Sequence, residues 1–170
     1  MPNRNASAAL REYLATLHSA ATCVTRAQFT HDCYLPAVGR VYSVQFNNGF
    51  PVSLKSATSS VDIAMRQRFE VVQSQSVLPF TVVTVQYYYT IRDAQTGHEI
   101  LAFHLHPGSA YKHPHLHLGA GAGRLRGGLD KAHLPTGPVL IHEVIQWLNR
   151  DFKVQPARAD AEAILAAGRT

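Results

Sequence analysis

The segment Phe80 to Ile91, FTVVTVQYYYTI, constrains the fold more than any other stretch of the chain. Every position except Gln86 is β-branched or aromatic. Such side chains lose rotamer freedom in a helix and pack well on a pleated surface, so a central β-strand is expected. Asp93-Ala94-Gln95-Thr96-Gly97 follows as a five-residue turn, and Glu99 to His106 returns as the partner strand of a hairpin.

The other elements fall around that hairpin. Ser7 is placed to cap a first helix in which Leu10, Tyr13, Leu14, Leu17 and Ala21 recur at spacings of three and four, on one face. From about Ala37 the period changes to two through Val38, Arg40, Tyr42, Val44 and Phe46; Asn47-Asn48-Gly49 is turn chemistry, and Val52 to Leu54 a second short strand. Val61 to Val72 fits a helix opened by Ser59 and Asp62, or, as the preferred reading, a strand in which Val61, Ile63 and Met65 alternate. His113 to Leu118 is expected as a short edge strand, because Pro114 lacks a backbone donor. Gly119 to Asp130 holds five glycines and is expected as an irregular flap. Thr136-Gly137-Pro138 starts a helix with Leu140, Ile141, Val144, Ile145, Trp147 and Leu148 on its apolar stripe; Pro156 opens a last one ending before Gly168, so closing helices are placed within 138–167. With no repeat, linker or composition break, residues 1–170 read as a single α+β domain: an antiparallel β meander packed by N-terminal and C-terminal helices.

Composition narrows the function classes. No run of eighteen apolar residues occurs, and the N-terminal MPNRNASAALREYL turns amphipathic where a signal peptide needs an unbroken apolar stretch. A cytoplasmic protein with no membrane partner is therefore expected. Cys23 and Cys33 fit no C-x-x-C spacing and are expected as reduced core residues. Sixteen Lys and Arg against eleven Asp and Glu leave a formal charge of +5, which suits RNA or another polyanion as partner. Of ten histidines, eight lie between His98 and His142.

Strand alternation concentrates those histidines further. In LAFHLH, Leu101, Phe103 and Leu105 point to one face and His104 and His106 to the other; in HPHLHL, His113, His115 and His117 share a face. Pairing of the two segments within a His-rich hairpin, 98–118, through the loop PGSAYK puts five imidazoles together. Three readings stay open: a solvated face, a metal site at His113, His115 and His117, or acid-base chemistry without a cofactor. Lys112, Arg124, Arg126 and Lys131 surround the hairpin. Cations beside paired histidines suit cleavage of RNA: one imidazole activates the 2′-hydroxyl, another protonates the leaving oxygen, and Lys112 and Arg124 stabilise the added charge. Tyr87 and Tyr89 share a face of the central strand, where they would either stack on bases or pack into the core. His142 and Glu143 are expected as a solvated pair, Thr136 as a cap or, with His133 before it, part of a phosphate-binding helix start, and His18 and His31 as structural residues.

Two resemblances bear on function. His113-Pro114-His115-Leu116-His117-Leu118-Gly119 resembles the histidine-triad signature of nucleotide hydrolases and transferases, which implies His115 as a nucleophile toward phosphorus. More broadly, the order of Tyr87-Tyr88-Tyr89, a turn, FHLHP, HPHLHLG and PTGPVLIHEVIQWL resembles small bacterial proteins related to the TumE-type toxins of toxin-antitoxin modules. That resemblance places His113, His115 and His117 in the family's histidine segment and Tyr87 and Tyr89 in its Tyr-rich strand. It implies a small nucleic-acid-acting effector with an antitoxin partner. The leading expectation is thus a toxin-like ribonuclease using His104, His106, His113, His115 and His117; the alternatives are a binding module without catalysis and a His-rich zinc or nickel protein.

Overall fold

The computed structural model describes residues 5–57, 60–73, 79–122 and 133–168. Ser59, the glycine-rich segment from 123 to 130, Arg124, Arg126 and Lys131 lie outside the described residues.

The chain begins with α1 (Ala6–Thr22), capped by Asn5, whose side chain accepts a hydrogen bond from Ala8 N–H at 2.8 Å. Ser7 therefore sits inside the first turn instead of capping it. Eight strands follow among the described residues: β1 (Phe29–His31), β2 (Val41–Phe46), β3 (Val52–Leu54), β4 (Val61–Gln73), β5 (Phe80–Asp93), β6 (Glu99–Leu105), β7 (His115–Leu118) and β8 (Leu134–Pro135). They form one sheet in the order β1-β2-β4-β5-β6-β7-β8, with β3 beside β2 on the same edge of β4. All these pairings are antiparallel. Helices α2 (Ile141–Arg150) and α3 (Ala161–Ala167) close the chain and pack with α1 on one face, so the fold is α+β with an antiparallel meander.

Long-range pairing decides the segment that local pattern left open. Val61, Ile63, Met65, Gln67, Phe69 and Val71 all face inward from β4, which pairs with β5 along its whole length. β5 sends Tyr87, Tyr89 and Ile91 to the same side, opposite Leu105, Phe103 and Leu101 of β6. Phe46, Phe69, Ile145 and Leu148 have no exposed surface, each side chain contributing about 1.5–3 kcal/mol by leaving water. The polar groups of Tyr13, Gln67 and Tyr89 are paired: Tyr13 of α1 donates to Gln67 Oε1 at 2.5 Å, and the Gln67 amide bonds to the Tyr89 hydroxyl. Burial raises the Tyr13 hydroxyl to about 12.

Several boundaries differ from the sequence expectation. β1 and β8, three and two residues long, carry too short a pattern to be read locally; Phe29 is buried against Phe46, with ring centroids 5.0 Å apart. β8 also covers β7, which is therefore not the sheet edge. α2 starts at Ile141 and not at Pro138, because Val139 N–H donates to the Tyr87 hydroxyl at 3.2 Å and holds the approach extended; the Glu143 side chain then accepts from Leu140 N–H at 2.7 Å. α3 likewise starts at Ala161, five residues beyond Pro156. His142 is buried where a solvated residue was expected, with its ring against Gly168. Cys23 and Cys33 are buried free thiols. No helix among the described residues is long and apolar enough to cross a membrane.

Candidate functional site

The face of the sheet opposite the helices carries the histidines. Register sets the arrangement: His104 on β6 stands directly opposite His115 on β7, and Ala102 opposite His117. His115 and His117 therefore share the face of His104, two positions apart along their strand. On the other side of β6, Tyr88 of β5 pairs with His104 and stacks on its ring, 4.2 Å between centroids.

The rings converge. One ring nitrogen from each of His104, His115 and His117 lies within 4.8 Å of the other two. His115 is almost fully buried, 2% exposed, and its Nδ1 lies 2.7 Å from the His113 carbonyl oxygen. A carbonyl can only accept, so Nδ1 carries a proton, and in the neutral tautomer this leaves the lone pair on Nε2. That Nε2 stands 3.0 Å from His117 Nε2. The Nε2 of His104 is buried with no hydrogen-bond partner among the described residues. Two nitrogens bound about 2.1 Å from one ion stand roughly 3.0–3.4 Å apart for angles between about 90° and 109°, so the His115 to His117 spacing of 3.0 Å suits a shared cation.

Around these three rings lie further aromatic groups. His133, just before β8, packs its ring 4.6 Å from that of His117 and 5.0 Å from that of His115, and Tyr111 packs on both His115 and His133. His106 sits 5.1 Å from His104, ring to ring, and its Nδ1 accepts from the Gln86 amide at 2.9 Å. Burial, then the charges of His117, His106, His115 and His133, hold the His104 imidazolium down to about 3. Burial lowers His117 and His106 as well, with neighbouring imidazoles adding in the same direction. His104, His106 and His117 therefore favour neutral rings with lone pairs available.

The expected site residues separate on this geometry. His104, His106, His115 and His117 share the face, as strand alternation implies. His113 does not join them: it precedes β7, is exposed, and contributes its carbonyl to His115. The three-histidine set is accordingly His104, His115 and His117, where the sequence pattern implied His113, His115 and His117. Lys112 is exposed in the loop before His113. Tyr87 and Tyr89 are core residues, 3% and 0% exposed and stacked on each other under the helices, so they offer no surface to bases. It is Tyr88, of opposite parity, that faces the histidines. His133, which the sequence places ahead of a phosphate-binding helix start, instead packs on His115 and His117; no periodic pattern in the sequence joins it to them. Compared with protein-family models, with curated proteins and with solved structures, the chain matches none of them.

Proposed function

We propose that the protein is a metalloprotein in which His104, His115 and His117 hold one divalent ion of the zinc class as a hydrolytic centre. The convergence of three imidazole nitrogens within 4.8 Å carries this reading. Supporting it, the His113 carbonyl orients His115 through Nδ1, the outer hydrogen bond that metal-binding imidazoles commonly make. Three protein ligands with a position left for water is the catalytic pattern for zinc, and His104, His115 and His117 supply three. The ion would supply a Lewis acid that activates water. In the reaction class this suits, water is split across an ester or phosphoester bond, its hydroxyl going to the electrophile and its proton to the leaving oxygen.

The test is metal stoichiometry and calorimetric zinc titration on protein purified without a histidine tag. One equivalent is expected in the wild type, with affinity falling at least tenfold in His115→Ala. A wild type that binds no stoichiometric divalent metal overturns the reading.

A second reading, RNA cleavage without metal, is favoured by the same Nε2 to Nε2 contact, in which one ring must accept and the other donate. The likeness to TumE-type toxins belongs with it, together with an antitoxin partner. RNA cleavage that persists in chelator-treated protein and disappears in His117→Ala would select it, as would expression toxicity abolished by His115→Ala in protein that binds no metal.

A further inference from the structure

A cavity of about 440 Å³ opens on the same face of the sheet, beside the histidines and toward β4. Arg66, Gln86, Tyr88, Arg92 and His106 line it, with Gly49 and Pro51 as one wall. Two of these residues touch the histidine set: Tyr88 stacks on His104, and the His106 ring packs edge-on to it. The cavity and the three-histidine set are thus adjoining compartments, and its size lies in the range, about 300–1,000 Å³, that holds a small molecule.

Its charged lining is two guanidinium groups, Arg66 and Arg92. Because His106 Nδ1 accepts from Gln86, the neutral ring carries its proton on Nε2. Arg66 gives one bond to Gln45 Oε1 at 3.3 Å, and neither Arg66 nor Arg92 forms an ion pair among the described residues. Asp62 on β4 and Glu99 on β6 stand beside Arg92 in the strand register, yet neither forms an ion pair with it: Asp62 accepts from the Ser53 hydroxyl at 2.5 Å, Glu99 lies 3.5 Å from the Tyr88 hydroxyl, and neither lines the cavity. Two guanidinium groups that line one cavity and form no ion pair among the described residues suit an anion. A doubly charged phosphate matches both charges and both donor forks, where a carboxylate matches one.

The geometry points to a phosphate-binding subsite formed by Arg66 and Arg92, which seats the phosphate of a small phosphoester next to His104. The phosphate site stands on the cavity and its charges; only the direction in which the scissile bond points rests on the metal-centre reading. Calorimetric titration of metal-free protein with inorganic phosphate, adenosine 5′-monophosphate and acetate tests it. Phosphate is expected to bind at least tenfold more tightly than acetate, and Arg66→Gln and Arg92→Gln each to weaken phosphate binding about tenfold, with zinc stoichiometry unchanged. Arg92→Lys keeps the charge at a half-buried position and is expected to retain part of the affinity. Adenosine 5′-monophosphate binding at least as tightly as inorganic phosphate supports an ester as the ligand; its exclusion restricts the site to the free ion and overturns the ester. Phosphate affinity unchanged in both glutamine variants, or acetate binding as tightly, overturns the subsite. Loss of phosphate binding in Arg66→Gln in a protein that takes up no zinc would sink the metal centre and leave the subsite standing; stoichiometric zinc with unaltered phosphate binding would do the reverse.

Discussion

His113 and His115 are two residues apart and do different work. The first offers a backbone carbonyl, the second a ring nitrogen. Replacing His113 by Ala keeps the carbonyl, so zinc affinity in His113→Ala is expected within about threefold of wild type, against the loss of tenfold or more in His115→Ala. Competition with a chromophoric chelator measures both, and equal losses would return His113 to the ligand set. A second residue-scale prediction concerns Gly168. A Cβ there would overlap the His142 ring, so Gly168→Ala is expected to cost about 1–3 kcal/mol in urea unfolding. Adding His142→Ala should recover part of the loss, because the two positions share one contact. Additive losses would show that the clash is not the cause.

At the scale of elements, burial sets the cost of a change. Leu148 on α2 is fully buried and Leu35 is 85% exposed. Leu148→Ala is expected to lose about 2–5 kcal/mol, and Leu35→Ser to stay within about 0.5 kcal/mol of wild type. Asn5→Ala should cost about 1 kcal/mol through the lost cap of α1, whereas Ser7→Ala should cost less. Denaturant midpoints check all four, and a larger loss at Ser7 than at Asn5 would contradict the observed cap. The same elements show what local pattern conveys. β5 was legible because β-branched and aromatic residues fill it almost without a break, and the period of two put His104, His106, His115 and His117, with His113, on one face. Parity also separated Tyr88 from Tyr87 and Tyr89, yet it left open which face the helices would cover. The start of α2 was misread because the Tyr87 hydroxyl, 52 residues away, holds Val139 extended.

Across the whole molecule, buried neutral histidines couple stability to pH. His142 lies below its ordinary value through burial, with Glu143 acting in the other direction; His18 lies below through burial and the nearby His31. Above pH 6.5 these rings are neutral in both folded and unfolded chains and add no dependence. As pH falls through 6.5 the unfolded chain takes up protons that the folded chain does not, so stability declines toward the lower folded values. The carboxyl groups of Asp93, Asp151 and Asp160 lie below their ordinary 3.8 and act only in a more acid window. Urea midpoints on metal-free protein are therefore expected to be lower at pH 5.5 than at pH 7.5, with a smaller difference in His142→Gln. Identical midpoints at the two pH values would contradict neutral burial. Zinc should raise the melting temperature at pH 7.5 with increasing free metal, since an ion that binds only the folded chain stabilises it by mass action.

By itself the sequence determined the fold class, the central hairpin and the common face of His104, His106, His115 and His117, because side-chain period is a local property of the backbone. Only the tertiary structure decided that β4 is a strand, that Tyr87 and Tyr89 lie under helices, that His113 turns away while His133 comes in, and that Arg66 and Arg92 open a cavity beside the imidazoles. Those outcomes depend on strand register and on which sheet face the terminal helices cover. Both are settled by contacts between residues far apart in the chain, which no local pattern encodes.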